Sequence, residues 1–168
     1  ATTVEVGTRN WQSLIQASER ALQQALEVAQ DGISVGTIGG VVGRSIKETG
    51  FHPVVNLSGH EMKRYNLHAG LSIPNYDDGT LTKVRGNMLL AIEPFATNGQ
   101  GQVSNGRSGN IYRVLRDRPL KDPEADRLFQ LIKQEFTTLP FCERWCDRLQ
   151  PNSGPVLRTL HRHGVIST

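Results

Sequence analysis

The chain has 168 residues, with 19 Lys and Arg against 16 Asp and Glu, a net charge of +3. That length holds one domain or two small ones, and it can bury a real core. Low net charge, periodic apolar residues and only two Cys exclude a mainly disordered chain, a collagen-like repeat and a disulfide scaffold. No apolar run is long enough for a membrane-spanning helix, and the opening ATTVEVGTRN has neither the basic nor the apolar part of a signal peptide.

In chain order, residues 3–6 (TVEV) alternate and are β-branched, which predicts a strand. Residues 10–30 predict a helix capped by Asn10, with Trp11, Leu14, Ile15, Leu22, Ala25, Leu26 and Ala29 on one stripe and Asp31-Gly32 closing it. Residues 35–49 predict a second helix, with Val35, Ile38, Val41, Val42 and Ile46 on its apolar face. Gly36, Gly39, Gly40 and Gly43 weaken it, so they imply close packing against another element. GTIGGVVG has neither the Lys-Ser/Thr ending of a phosphate loop nor the register of a dinucleotide fold.

Residues 52–57 (HPVVNL) predict a short strand leading into Ser58-Gly59-His60, and residues 61–86 are loop-rich. NMLLAIEPFA at 87–96 reads as a strand buried on both faces. A polar loop fills 98–110, and a strand is expected at 111–115. Three short helices follow. The first starts at Asp122-Pro123-Glu124 and carries Leu128, Ile132 and Phe136. The second carries Phe141, Trp145 and Leu149, and the third runs from Ser153-Gly154-Pro155 to Gly164. Val165 and Ile166 begin an extended piece. Cys142 and Cys146, at i, i+4, are too few for a zinc site and read as free thiols in a reducing compartment. The densest basic stretch, residues 113–121, is interrupted by Asp117 and reads as a solvated mixed face, so no nucleic-acid partner is expected.

Three residues carry chemistry. Glu93 shares a strand face with Leu89 and Ala91, just before Pro94, which cannot donate to a ladder. A carboxylate there is either paired, hydrogen-bonded or metal-bound in a core, or an edge residue pointing to water. His60 follows Gly59 at the end of an extended segment, and His68 lies in LHAG. Each alone suits a surface or hydrogen-bonded His; together with Glu93 they suit a hydrolytic metal centre. His161 and His163 read as surface residues.

NLSGHEMKRYNLHAGLSIPN at 56–75, followed by MLLAIEPFATNGQGQV at 88–103, resembles the type II methionine aminopeptidases, especially the archaeal ones. VEVG, GFHPVVNLSGH and the later TLPFCERW extend the resemblance over nearly the whole chain. It implies an α+β class: a partial pita-bread catalytic domain over 1–115 and a helical insertion over 116–168. The implied activity is metal-dependent removal of N-terminal Met from nascent proteins in the cytoplasm, with the ribosome as a candidate partner. The second residue of the substrate would be small. The implied cofactor is two divalent ions of Co, Mn, Fe or Zn. Position by position, His60 and Glu93 match metal ligands, Glu93 also a proton shuttle, and His68 matches the His that contacts substrate and stabilises the reacting amide. Leu67 matches a residue lining the methionine pocket.

The departures are as specific. The family's two Asp ligands and a further His fall before Ala1, and its last Glu falls after Thr168. The expectation is an internal piece of a longer protein, holding two of five metal ligands and inactive alone. The competing expectation is a pita-bread scaffold without catalysis that binds RNA, ribosome or protein.

Overall fold

The structure, a computed structural model, describes residues 3–7 and 10–168. The chain divides into two compact units: Ala1–Lys63 with His68–Asn105, and Arg64–Leu67 with Gly106–Thr168. Among the described residues no helix is long and apolar enough to cross a membrane.

The first unit is built on two helices, α1 (Gln12–Val28) and α2 (Val35–Glu48). Residues 3–7 form no strand. Val4 and Val6 are exposed, so a β-branched pattern without a ladder partner among the described residues stays irregular. Asn10 does not cap α1. Instead the Glu5 carboxylate accepts from the Asn10 and Trp11 backbone N–H groups at 2.6 and 3.1 Å. The buried face of α1 is Ala17, Ala21 and Ala25, whereas Leu26 is 53% exposed. Small side chains at i, i+4 let Val35, Ile38, Val42 and Ile46 of α2 fill the space between the helices.

Helix α2 starts at Ser34, whose hydroxyl accepts from Thr37 N–H at 3.0 Å. Two further first-turn N–H groups, Val35 and Gly36, donate to the Thr82 and Thr80 carbonyls. The glycine stripe does face another element, as its composition implied. A Cβ on Gly36 would lie 2.7 Å from Thr80 O, and one on Gly39 would collide with Tyr76 O.

The strands are shorter than the sequence suggests. They are β1 (His52–Pro53), β2 (Ser58–Met62), β3 (Ser72–Pro74), β4 (Leu89–Ala91) and β5 (Ala96–Thr97). Two sheets result, β3-β2-β4 and β1-β5, all antiparallel. Of the segment 52–57 only the first two residues form a strand, and Val54 and Val55 donate their N–H groups to the Phe95 and Gly101 carbonyls. Buried Asn75 ties down the rest by donating to the Val54 and Leu57 carbonyls at 3.3 and 3.1 Å. The strand expected at 87–96 is not buried on both faces: it breaks into β4 and β5 around Pro94, and Leu89 is 62% exposed.

In the second unit β6 (Ile111–Val114) lies between β7 (Phe141–Cys142) and β8 (Ile166–Ser167), both antiparallel to it. Helices α3 (Pro123–Phe136), α4 (Glu143–Leu149) and α5 (Ser153–Arg162) complete the unit. Asp122 caps α3, accepting from Glu124 and Ala125 N–H. Phe141 sits on β7 rather than on a helix, stacked on Phe136 with centroids 5.1 Å apart. It closes a core of Leu128, Phe129, Ile132, Leu157, Leu160 and Ile166. Fully buried Ser153 donates its hydroxyl to Asp147 at 2.8 Å, and its backbone N–H goes to the same carboxylate. That bond fixes the α4–α5 turn, where Asn152 adopts φ +57°.

Both thiols are free, Cys142 half-buried and Cys146 buried. Burial, and then the neighbouring Cys142, push the Cys146 thiol up to about 12. Only the thiolate attacks alkylating agents, so Cys146 is inert near pH 8. Iodoacetamide should therefore label Cys142 in the folded chain and reach Cys146 only in denaturant. Equal labelling of both thiols under native conditions, read by peptide mass spectrometry, would contradict this burial.

Candidate metal centre

Strand pairing brings His60 and Glu93 together. In the β2–β4 ladder His60 lies opposite Ala91, so the two side chains share a face. Glu93 stands two residues beyond Ala91, past the end of β4, and its carboxylate reaches the His60 ring. Ala91 is small and leaves the space open. The result is His60 Nε2 at 3.6 Å from Glu93 Oε1, with the His side chain 12% exposed and the Glu side chain 40% exposed. Glu93 is thus a rim carboxylate at a strand end, rather than one sealed in a core.

Gly59 makes this approach possible. A Cβ there would collide with the Ala91 carbonyl and stand 3.2 Å from Glu93 N. Any larger residue pushes β4 away from β2 just where the two site residues meet. The His60 ring is oriented by its other nitrogen, since Nδ1 faces the Glu61 carbonyl at 3.4 Å. With the proton on Nδ1, the Nε2 lone pair faces Glu93, as metal-ligating imidazoles require.

His68 lies in the β2–β3 connection, with its ring centroid 4.3 Å from that of His60 and the planes 57° apart. Two backbone bonds hold that connection: Ala69 N–H to Glu61 O at 2.8 Å and Glu61 N–H to Leu71 O at 2.9 Å. His68 itself is exposed. Leu67 is half-buried and belongs to the second unit, whereas His68 belongs to the first. His161 and His163 are exposed on or just beyond α5 and take no part.

Glu61 is the residue that sequence reasoning overlooked. It is 7% exposed and pairs with Lys63 at 3.1 Å, on the strand face opposite His60. Its backbone carbonyl serves both the His60 ring and the Ala69 amide, and no side-chain pattern announces a carbonyl.

The geometry fits a metal ion on these two donors. Bonds of ~2.0–2.2 Å from one tetrahedral ion to an imidazole nitrogen and a carboxylate oxygen separate those atoms by roughly 3.4 Å, close to the spacing found. Among the described residues no group of three or more His, Cys, Asp or Glu could hold a metal ion, so the pair is a partial site.

Residues 1–114 match metallopeptidase family M24. The methionine aminopeptidase of Pyrococcus abyssi is 41% identical over 169 residues, which is 99% of this chain and 57% of the relative. That of Methanocaldococcus jannaschii is 41% identical over 86% of this chain and 49% of its own length. The chain thus spans about half the length of the relatives it matches. Among solved structures, the methionine aminopeptidase of Thermotoga maritima superimposes with a TM-score of 0.52 at 30% identity, over 55% of this chain and 37% of that one. A thermophilic Arx1 gives 0.64 at 16% identity, over 92% and 48%, a likeness of fold alone. With a match over residues 1–114, the chain belongs to metallopeptidase family M24, and its α+β architecture is part of the pita-bread fold.

Proposed function

We propose that this chain contributes part of the active site of a methionyl aminopeptidase, which removes N-terminal Met from nascent polypeptides. The observation that supports it is the convergence of His60 Nε2 and Glu93 Oε1 at 3.6 Å with the His68 ring beside them. His60 and Glu93 are the metal ligands of this reading. The remaining ligands come from outside these 168 residues, and the full site holds two divalent ions of Co, Mn, Fe or Zn. Mixed imidazole and carboxylate donors suit each of those metals. The chemistry such ions supply when bound is an acidified water and a polarised carbonyl.

The chain's own residues do the rest. Glu93 accepts the proton of the attacking water and returns it to the leaving amine, a role its half-exposed carboxylate can fill. His68 donates an N–H to the amide oxygen as charge develops there. Leu67 lines the pocket for the methionine side chain. Residues 1–115 form the catalytic portion in this proposal and 116–168 an insertion. The enzyme works in the cytoplasm, close to the ribosome that delivers its substrates.

Two donors hold an ion weakly, because affinity follows ligand count. The 168-residue chain alone should therefore bind Mn(II) or Co(II) weakly and not hydrolyse a Met-peptide. His68→Ala in the full-length protein separates substrate contact from metal binding. It should lower kcat by about 10²-fold or more, as loss of a carbonyl donor does, with metal content by elemental analysis unchanged. Metal loss in that variant would make His68 a ligand and overturn its assignment.

A further inference from the structure

The two stretches of chain that carry His60 and Glu93 are joined twice. The β2–β4 ladder ends at the His60–Ala91 pair. Beyond it the stretches meet again where Val54 N–H donates to the Phe95 carbonyl at 2.8 Å, next to the β1–β5 pairing. Between these two ties residues 55–59 run on one side and residues 92–94 on the other, five against three. The longer side must bow out, as in a β-bulge, and Pro94 has no N–H with which to hold it. Glu93 lies within the shorter side, and His60 stands just past the end of the longer one.

Asn75 holds the bowed segment. It directly follows β3, and the Ser58–Pro74 pairing places it beside Leu57. Its side-chain nitrogen has two hydrogens, and it donates to the Val54 carbonyl at 3.3 Å and to the Leu57 carbonyl at 3.1 Å. Those acceptors bracket Val55 and Asn56, so one amide spans the segment from end to end. The residue is 2% exposed, so water does not compete for these bonds and losing them leaves the carbonyls unpaired. Helix α2 backs it, since a Cβ on Gly43 would lie 3.1 Å from the Asn75 carbonyl. The outward bonds of the same segment are different in kind. Val55 N–H donates to Gly101 O, and the Asn56 side chain exchanges two bonds with the Val103 backbone, but Val55 and Asn56 are both exposed.

Resting on the reading of His60 and Glu93 as metal ligands, we propose that Asn75 is a positioning residue for that pair. Its amide fixes residues 54–57, and through them the spacing of His60 from Glu93. Donors to an ion must be held to within about 0.5 Å of the bonding geometry. Without the amide the bowed segment is free to flatten, and both the close approach of Gly59 to Ala91 and the 3.6 Å spacing of the pair relax.

Asn75→Leu in the full-length protein tests this, because it keeps the approximate volume and removes both donors. Its Co(II) dissociation constant should rise about tenfold or more, the scale of losing an outer-shell partner. The visible Co(II) bands should shift as well, since they report donor geometry. Ser153→Ala is the control: it removes a buried hydroxyl bond in the second unit and should lower Tm with Co(II) affinity and spectrum unchanged. Metal-free protein gives a readout that needs no ion. Hydrogen exchange at the Val54 and Val55 amides should be about tenfold faster in Asn75→Leu, the scale of one net hydrogen bond, with Ile38 and Val42 of α2 unchanged. Where Asn75→Leu does not fold, Asn75→Ser, which keeps one donor, is read in the same way. A lower Tm with the Co(II) affinity and spectrum of the unaltered protein would make Asn75 a purely structural residue and overturn the proposal, as would unchanged exchange at Val54 and Val55. Failure of the unaltered protein to bind Co(II) would instead remove the ligand reading of His60 and Glu93, and this role with it.

Discussion

Replacing Glu93 with Ala in the full-length protein should lower kcat/KM on a Met-Ala peptide by about a thousandfold or more. Loss of a positioned acid–base group is worth roughly 10²–10⁴, and the same change removes a metal donor. His60→Ala should abolish turnover too, with bound metal falling in elemental analysis. Glu93→Gln keeps the shape of the side chain but not its basicity, so it should retain more metal than Glu93→Ala while remaining as inactive. The double variant His60→Ala/Glu93→Ala should be little worse than either single change, since residues that act as one unit lose their function together. Multiplying losses, or full metal content in His60→Ala, would show that the two side chains 3.6 Å apart serve separate purposes.

The alternation of Leu89 with Ala91 along β4 was legible because it is a local rule. That β4 would pair with β2 and bring Glu93, past the end of β4, to 3.6 Å from His60 was not, since no local pattern announces which strands pair. The Asp122 cap and the helices around Leu128 and Leu157 were legible for the same kind of reason, in that cap chemistry and 3.6-residue spacing act within a few residues. What failed depended on distant partners. TVEV has strand propensity but no ladder among the described residues. LLAIEPF looks doubly buried, but burial depends on what covers it, and Leu89 is open. In α1 the expected stripe held Ala25 but not Ala17 and Ala21, which are buried, while its Trp11 and Leu26 are exposed, because Ile38, Val42 and Ile46 of α2 already fill the gap. Glu61 shows the limit most clearly. It acts on His60 and Ala69 through its backbone carbonyl, which every residue type possesses.

The glycines of α2 and β2 give the sharpest test of the fold itself. Gly→Ala in a helix interior ordinarily stabilises by about 1 kcal/mol. At Gly39 the sign should reverse. The added methyl would meet Tyr76 O, with Pro74 Cγ and Pro74 O at 2.8 Å, and backbone carbonyls cannot swing aside as a side chain can. Overpacking of this kind costs about 1–3 kcal/mol. For a chain of this size that means Tm falling by several degrees, up to about 10 °C. Gly86→Ala is the control: nothing lies within 4 Å of its Cβ position, and it should be close to neutral. Gly59→Ala should behave differently from both. Its methyl strikes Ala91 O, so relief comes by parting β2 from β4, and that parts His60 from Glu93. Gly59→Ala in the full-length protein should therefore lose metal and activity at temperatures where circular dichroism still reports a folded chain. Gly39→Ala should lose stability first and keep its specific activity while folded. If both variants lost activity only on melting, the close approach at Gly59 would matter to the fold alone and not to the spacing of the metal-binding pair.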